Sequence, residues 1–233
     1  MSEARTLNEL LALASARDDT GIRLIDRRRR ASFVPWSEIR SRARLVAGGL
    51  GAIGIERGER VALVYPTCAG FFEAFFGILA AGAVPVPLYP PVRLGRLDEY
   101  VDRTAAMLRA VDARLVLAER RVRRLLGEAV EAAGPVHGCL ETGSLPEAGT
   151  GETEVSAHDL ALVQFSSGTT VDPKPVALSH RAVIAQTERL NSFWPDGDGL
   201  VHSGASWLPL YHDMGLIGCV FPALERPAVL TLI

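Results

Sequence analysis

The chain has 233 residues, 48% of them hydrophobic, and a formal net charge of only -2. That is enough apolar material for a real core, and too neutral a balance to set up a field that gathers nucleic acid, so nucleic acid is excluded as a partner. Cys68, Cys139 and Cys219 are odd in number and lack C-x-x-C spacing, which excludes a zinc site and a disulfide framework and points to a reducing, cytoplasmic setting.

The first residues carry no apolar signal core, and the greasiest run, 69–83, is too short to span a bilayer and contains Glu73, so no membrane insertion is expected. Strand-like 22–25 and 32–34 flank Arg27, Arg28, Arg29 and Arg30, which therefore read as a solvated hairpin turn and not as a basic tract. Ser37 is placed to cap a helix in which Ile39, Ala43, Val46, Ala47 and Leu50 recur on one face until Gly51 and Gly54 stop it. Gly49-Leu50-Gly51-Ala52-Ile53-Gly54 spells G-x-G-x-x-G, the dinucleotide fingerprint. It ends a helix and precedes the strand 60–65, whereas a dinucleotide loop follows a strand and opens a helix, so it reads as helix termination.

An apolar helix, 69–81, follows Thr67 and is closed by Gly82. Its Phe71, Phe72, Phe75, Phe76, Ile78 and Leu79 read as core packing and not as the wall of an acyl tunnel. Residues 83–88 form a short strand near a sheet edge, since prolines interrupt it. Helix 97–111, strand 114–118, helix 120–133 and a weaker strand, 136–140, come next. Residues 141–157 turn to Gly, Glu, Thr, Ser and Pro, the composition of a surface loop. Beyond it lie strand 160–165, a polar loop, strand 175–178 and helix 181–192. Strand 205–208, the elbow Tyr211-His212-Asp213, a helix from 214 to about 224 and an apolar tail close the chain. Alternation of this kind predicts an α/β fold, a layered parallel-rich sheet with helices on both faces. The strand-like 228–233 at the terminus predicts that the chain is part of a longer domain.

Lys174 is the only lysine among 25 basic residues. It sits in Phe165-Ser166-Ser167-Gly168-Thr169-Thr170-Val171-Asp172-Pro173-Lys174-Pro175-Val176. Small residues there let backbone N–H groups approach a ligand, four hydroxyls add donors, and an ammonium supplies a compact point charge, which together suit a phosphate. The spacing is not that of a P-loop. Tyr211-His212-Asp213 has neither a G-x-S-x-G elbow nor ligand-spaced partners among His137, His158, His180 and His202, so neither a nucleophilic dyad nor a metal site is predicted.

The string 165–176 resembles the phosphate-binding signature of the adenylate-forming superfamily of acyl-CoA synthetases, adenylation domains and luciferases. Two further strings, Leu79-Ala80-Ala81-Gly82-Ala83-Val84-Pro85-Val86-Pro87-Leu88-Tyr89-Pro90-Pro91 and Ser206-Trp207-Leu208-Pro209-Leu210-Tyr211-His212-Asp213-Met214-Gly215-Leu216-Ile217-Gly218, resemble the fatty acyl-AMP ligase branch. The resemblance implies an activity in which a fatty acid attacks the α-phosphate of ATP, with Mg²⁺, to give acyl-adenylate and pyrophosphate. The acyl group then passes to the thiol of an acyl carrier protein, as in polyketide or nonribosomal synthases, or of CoA. It implies that Ser166, Ser167, Gly168, Thr169, Thr170 and Lys174 hold the nucleotide phosphates and that His212 is catalytic. Tyr211, Asp213, Met214 and Gly215 would shape the substrate pocket, with no protein metal ligand. Residues 1–233 would then be an incomplete N-terminal AMP-binding domain without its C-terminal lid, inactive alone or a catalytically silent binding module. Val171 and Pro175 stand where that family has glycines. A β-branched residue resists positive φ and proline removes a donor, so weakened nucleotide binding is expected.

Overall fold

A helix not expected from the sequence, α1 (Leu7–Ala14), starts where the Thr6 hydroxyl accepts the Glu9 amide at 3.2 Å. The computed structural model describes residues 4–26, 28–91, 97–166, 173–195 and 202–233. Next come β1 (Gly21–Ile25) and β2 (Ala31–Pro35), the antiparallel hairpin anticipated around the arginine run. Asp26 organises its turn, accepting the amides of Arg28 and Arg30 at 2.8 and 2.9 Å; Arg27 lies outside the described residues.

Helix α2 (Trp36–Ala52) begins two residues earlier than a Ser37 cap predicts, with Pro35 as its N-cap. Ser37 does not cap it; its hydroxyl instead donates to Asp18 at 2.7 Å. The expected face, Ile39, Ala43, Val46, Ala47 and Leu50, is buried. At Gly49 the segment around Leu145 crosses the helix closely: a Cβ there would stand 2.8 Å from that of Leu145. The G-x-G-x-x-G string is thus a packing surface followed by a helix end.

Strand β3 (Arg60–Val64), helix α3 (Ala69–Ala80) and strand β4 (Val84–Pro87) spell one βαβ unit, with β3 and β4 parallel. Helix α4 (Leu97–Ala110) leads to β5 (Ala113–Ala118). The single helix expected over 120–133 is two, α5 (Arg120–Arg123) and α6 (Gly127–Ala133). Leu126 is fully buried at the junction, so the chain turns to bring it inward. Strand β6 (Cys139–Leu140) follows. The predicted loop 141–157 contains only a short 3₁₀ turn, Thr142–Ser144. Strands β7 (Leu160–Phe165) and β8 (Pro175–Ser179), helix α7 (His180–Asn191) and strand β9 (Ser203–Ser206) come next.

The last helical stretch is interrupted: α8 (Asp213–Gly215) runs through a π-helical turn, Leu216–Val220, into α9 (Phe221–Glu225). Pro222, which has no N–H to return to the preceding turn, follows the widened turn, the kind of adjustment that recurs near functional sites. Strand β10 (Val229–Leu232) completes the chain.

The parallel-rich layering is divided between two four-stranded sheets, ordered β2-β1-β10-β9 and β4-β3-β5-β6, with β7-β8 as a separate antiparallel ribbon. β4 is at an edge, as its prolines require, while the terminal strand β10 pairs on both sides. One core cluster draws Ile22, Leu230 and Leu232 from the first sheet and Val61, Leu63, Leu115 and Leu117 from the second, around Trp36 and the α3 phenylalanines. Alternate residues of the same strands, Ala62, Val64, Val116 and Ala118, point the other way, into a second cluster with Tyr100, Met107 and Leu108 of α4. This period-2 division places helices on both faces of the second sheet. Phe71, Phe72, Phe75 and Phe76 are at most 2% exposed, so they are core. Each such burial stabilises by about 1.5–3 kcal/mol.

Candidate functional site

Three segments far apart in sequence meet at one cavity of about 240 Å³: Pro87, Leu88 and Tyr89 at the end of β4, Phe165, Ser166 and Pro173 at the facing ends of β7 and β8, and Tyr211 and His212 before α8. A second cavity, of about 320 Å³, shares Phe165, Ser166 and His212 and adds Gln164, Val176, Leu178, Asp213 and Ile217. His212 therefore stands between two hollows, beside the mouth of the lysine loop.

Each segment is held by local chemistry. The Leu88 amide donates to Leu63 O at 3.0 Å, which carries Tyr89 past the end of the sheet. Tyr89 then packs edge-on against Tyr100, ring centroids 5.5 Å apart, and tilted against Tyr211 at 6.2 Å. The Tyr100 hydroxyl donates to the Tyr89 carbonyl at 3.2 Å. Burial pushes the Tyr89 phenol above its usual range, partly offset by the Arg103 guanidinium beside it.

The β7–β8 ribbon closes where the Ser166 amide donates to Lys174 O at 3.0 Å. Phe165 pairs with Pro175, and proline is tolerated there because β8 is an outer strand. Of the residues expected to bind phosphate, Ser166 lines both cavities and Lys174 stands exposed at the ribbon's end. Ser167, Gly168, Thr169 and Thr170, with Val171 and Asp172, lie outside the described residues.

The elbow before α8 is a tight turn in which the His212 amide donates to Pro209 O at 3.2 Å and Leu216 donates to His212 O at 3.0 Å. Gly215 is required: a Cβ there would stand 2.2 Å from Pro209 O, so only glycine lets the helix start so close to the elbow. His212 Nδ1 contacts Asp213 Oδ1, and the Met214 amide donates to the same oxygen at 2.7 Å. A proton on Nδ1 satisfies that contact and leaves Nε2 as the acceptor. Tyr211 and His212 line the first cavity and Asp213 the second, while Met214 is 61% exposed and lines neither.

Two site residues escaped the sequence reading. Gln164 is buried on β7, and its Nε2 donates to Tyr211 O at 3.5 Å, tying the ribbon to the elbow. A lone amide in the apolar run 160–165 was its signal. Arg103 of α4 also lines the first cavity, and nothing distinguished it from the other arginines. Among the described residues no group of three His, Cys, Asp or Glu side chains could hold a metal ion, and no helix is long and apolar enough to cross a membrane.

Two layers of parallel-rich sheet and helix, with Ser166 and a histidine elbow at one cavity, are the architecture of an adenylate-forming enzyme domain. The AMP-binding enzyme family matches residues 17–232, and the chain belongs to that family. It is 32% identical over 225 residues to a putative acyl-CoA synthetase of Caulobacter vibrioides, covering 94% of this chain and 38% of the relative. It is 34% identical over 199 residues to a long-chain-fatty-acid–AMP ligase of Mycobacterium marinum, covering 80% of this chain and 32% of that protein. Among solved structures, a fatty acyl-adenylate ligase from work on the Escherichia coli and Legionella pneumophila enzymes superposes with a TM-score of 0.87 at 30% identity, over 99% of this chain and 42% of that one. The chain thus spans about a third of the length of these curated relatives.

Proposed function

We propose that this chain carries the phosphate-loop and acyl-carboxylate part of a fatty acyl-AMP ligase. The observation that supports the reading best is the convergence of Tyr89, Ser166 and His212, from three distant segments, on one cavity. A fatty acid carboxylate oxygen attacks the α-phosphorus of ATP, the bond to the bridging oxygen breaks, and pyrophosphate leaves with the electron pair. An acceptor thiol then attacks the acyl carbonyl, AMP leaves, and the thiol proton passes to solvent or phosphate. The acceptor is an acyl carrier protein or CoA.

The residues present suit these groups. His212, with Nε2 free, meets a carboxylate or adenylate oxygen when protonated there, and Asp213 holds the ring in place. Ser166 and Lys174, at the ends of the loop, donate to phosphate oxygens, with Ser167, Gly168, Thr169 and Thr170 between them. Arg103 adds a fixed positive charge at the cavity wall. Mg²⁺ would be held through the phosphates and would neutralise charge on pyrophosphate, in keeping with its habit of binding through substrate oxygens and few carboxylates. Tyr211, Asp213, Met214 and Gly215 form the elbow that positions His212. Residues 1–233 act as the N-terminal portion of such an enzyme, working in the cytoplasm.

The test is binding of a non-hydrolysable fatty acyl-sulfamoyl adenosine, measured by calorimetry. Saturable binding to the wild-type chain is expected, weakened at least tenfold in His212→Ala; no binding to the wild-type chain would sink the reading. A second reading is favoured by Val171 and Pro175: a silent binding module of the same family, in which the loop no longer takes ATP. Fatty-acid-dependent exchange of pyrophosphate into ATP by the 233-residue chain would exclude it, and restored ATP affinity in a Val171→Gly, Pro175→Gly chain would favour it.

A further inference from the structure

Several arginines on this fold are paired with carboxylates. Arg42 meets Glu73 at 2.7 Å, Arg60 meets Asp112 at 2.7 Å, Arg114 meets Glu59 at 2.9 Å and Arg57 meets Asp159 at 2.5 Å. The turn of chain after β5 is different. Arg120, Arg121, Arg123 and Arg124 are all exposed, and among the described residues only Arg123 has a side-chain partner, Glu141 at a loose 3.4 Å. Arg120, Arg123 and Arg124 rim an open hollow of about 550 Å³, floored by Gly127, Val130 and Cys139, with Glu141 its one carboxylate. The rim of the hollow is thus a local concentration of positive charge, although Glu128 and Glu131 are exposed elsewhere on α6.

Its position gives it a use. β4, β5 and β6 all run parallel within one sheet, so the hollow and the candidate cavity open at the same carboxyl edge. The cavity lies beyond β4 and α5 beyond β5, two strand spacings away, or about 10 Å. That edge is where ligands gather in open α/β sheets. Exposed guanidiniums around a concavity fit protruding carboxylates better than a flat bilayer, which would touch only the rim. α5 also offers no exposed apolar side chain to insert, since Val122 is half-buried. Arginine is enriched at protein interfaces for its rigid, multiply donating fork.

We propose that the arginine rim of this hollow, Arg120, Arg123 and Arg124 with Arg121 beside it, is the docking surface for an acidic protein that presents the acceptor thiol to the neighbouring cavity. The proposal rests on the acyl-transfer reading above and names the partner's face. Docked there, the partner would need an extended arm of about 10 Å or more to reach His212 from outside.

The experiment titrates an acidic acyl carrier protein bearing its phosphopantetheine arm against the full 233-residue chain, at low and at raised salt. Arg120→Glu with Arg124→Glu is expected to weaken binding at least tenfold, as is raised salt, while His212→Ala leaves it unchanged. Thermal melts should match the wild type, because these side chains are exposed; Arg121→Glu alone serves if the double variant melts early. Equal affinity of the wild-type and charge-reversed chains, or no binding to the wild type, would overturn the proposal. So would inorganic pyrophosphate occupying the hollow while the carrier protein does not bind, or phosphatidylglycerol vesicles doing so. Acyl-sulfamoyl adenosine binding is followed in the same variants. Its loss in the wild type indicts the adenylate reading, whereas its survival without carrier binding indicts only the docking surface.

Discussion

The α3 layer and the β7–β8 ribbon are made from equally apolar sequence and end in opposite states. In α3, nine consecutive-face residues from Phe71 to Ala80 are buried between two sheets, and Phe75 contacts Phe71, Phe76 and Phe221 with ring centroids 5.9, 5.3 and 6.0 Å away. In the ribbon, β8 leaves Pro175, Val176 and Ala177 exposed while β7 buries Ala161 to Gln164. The difference teaches where rigidity and chemistry lie: a closed core fixes strand ends, and the candidate site is hung from those ends on a thin ribbon and a tight elbow.

If the α3 layer is the foundation, breaking it should cost most. Phe75→Ala should lose about 3–5 kcal/mol, the usual cost of emptying a buried aromatic site, read as a lower denaturation midpoint in urea. A loss near zero would show that the layer is not the scaffold it looks to be.

His180 starts α7 beside the ribbon and is 1% exposed. Its Nδ1 accepts the Leu7 amide at 3.0 Å, and burial pulls its pKa from 6.5 to about 4. The folded state thus keeps the ring neutral, and between those values the unfolded chain binds more protons. Stability should hold above pH 6.5 and fall by about 3 kcal/mol as pH drops to about 4, against a flatter profile in His180→Gln. Chemical denaturation across that range measures it; a flat wild-type profile would mean that the ring is not held by this bond.

At the elbow, Gly215→Ala sets a methyl against Pro209 O and should cost about 1–3 kcal/mol while displacing His212. The expected signature is acyl-sulfamoyl adenosine affinity falling more steeply than stability does. Unchanged affinity would separate the elbow from the site. The smallest effect belongs to the surface: Arg57→Ala removes an exposed pair with Asp159 and should change stability by less than about 1 kcal/mol.

Much of this was legible from the chain. The phenylalanines at helical spacing announced a buried α3, the prolines of β4 an edge strand, and alternation of strand and helix a parallel sheet. The helix over 120–133 was misread because its periodicity hides the turn that buries Leu126. α1 was missed because its capping Thr6 precedes only eight helical residues. At the site, Ser166, Tyr211 and His212 stood out in ordered strings, whereas Arg103 carried no local mark.

Residue order alone therefore determined the elements, the family resemblance and the candidate site residues, since periodicity, capping and glycine placement act over a few neighbours. Tertiary structure decided how the strands divide between two sheets, that Tyr89, Ser166 and His212 share a cavity, and that the α5 arginines lie along the same edge. Those facts depend on which strand ends lie side by side. That is set by the burial of side chains distant in sequence, above all by the α3 phenylalanines between the sheets.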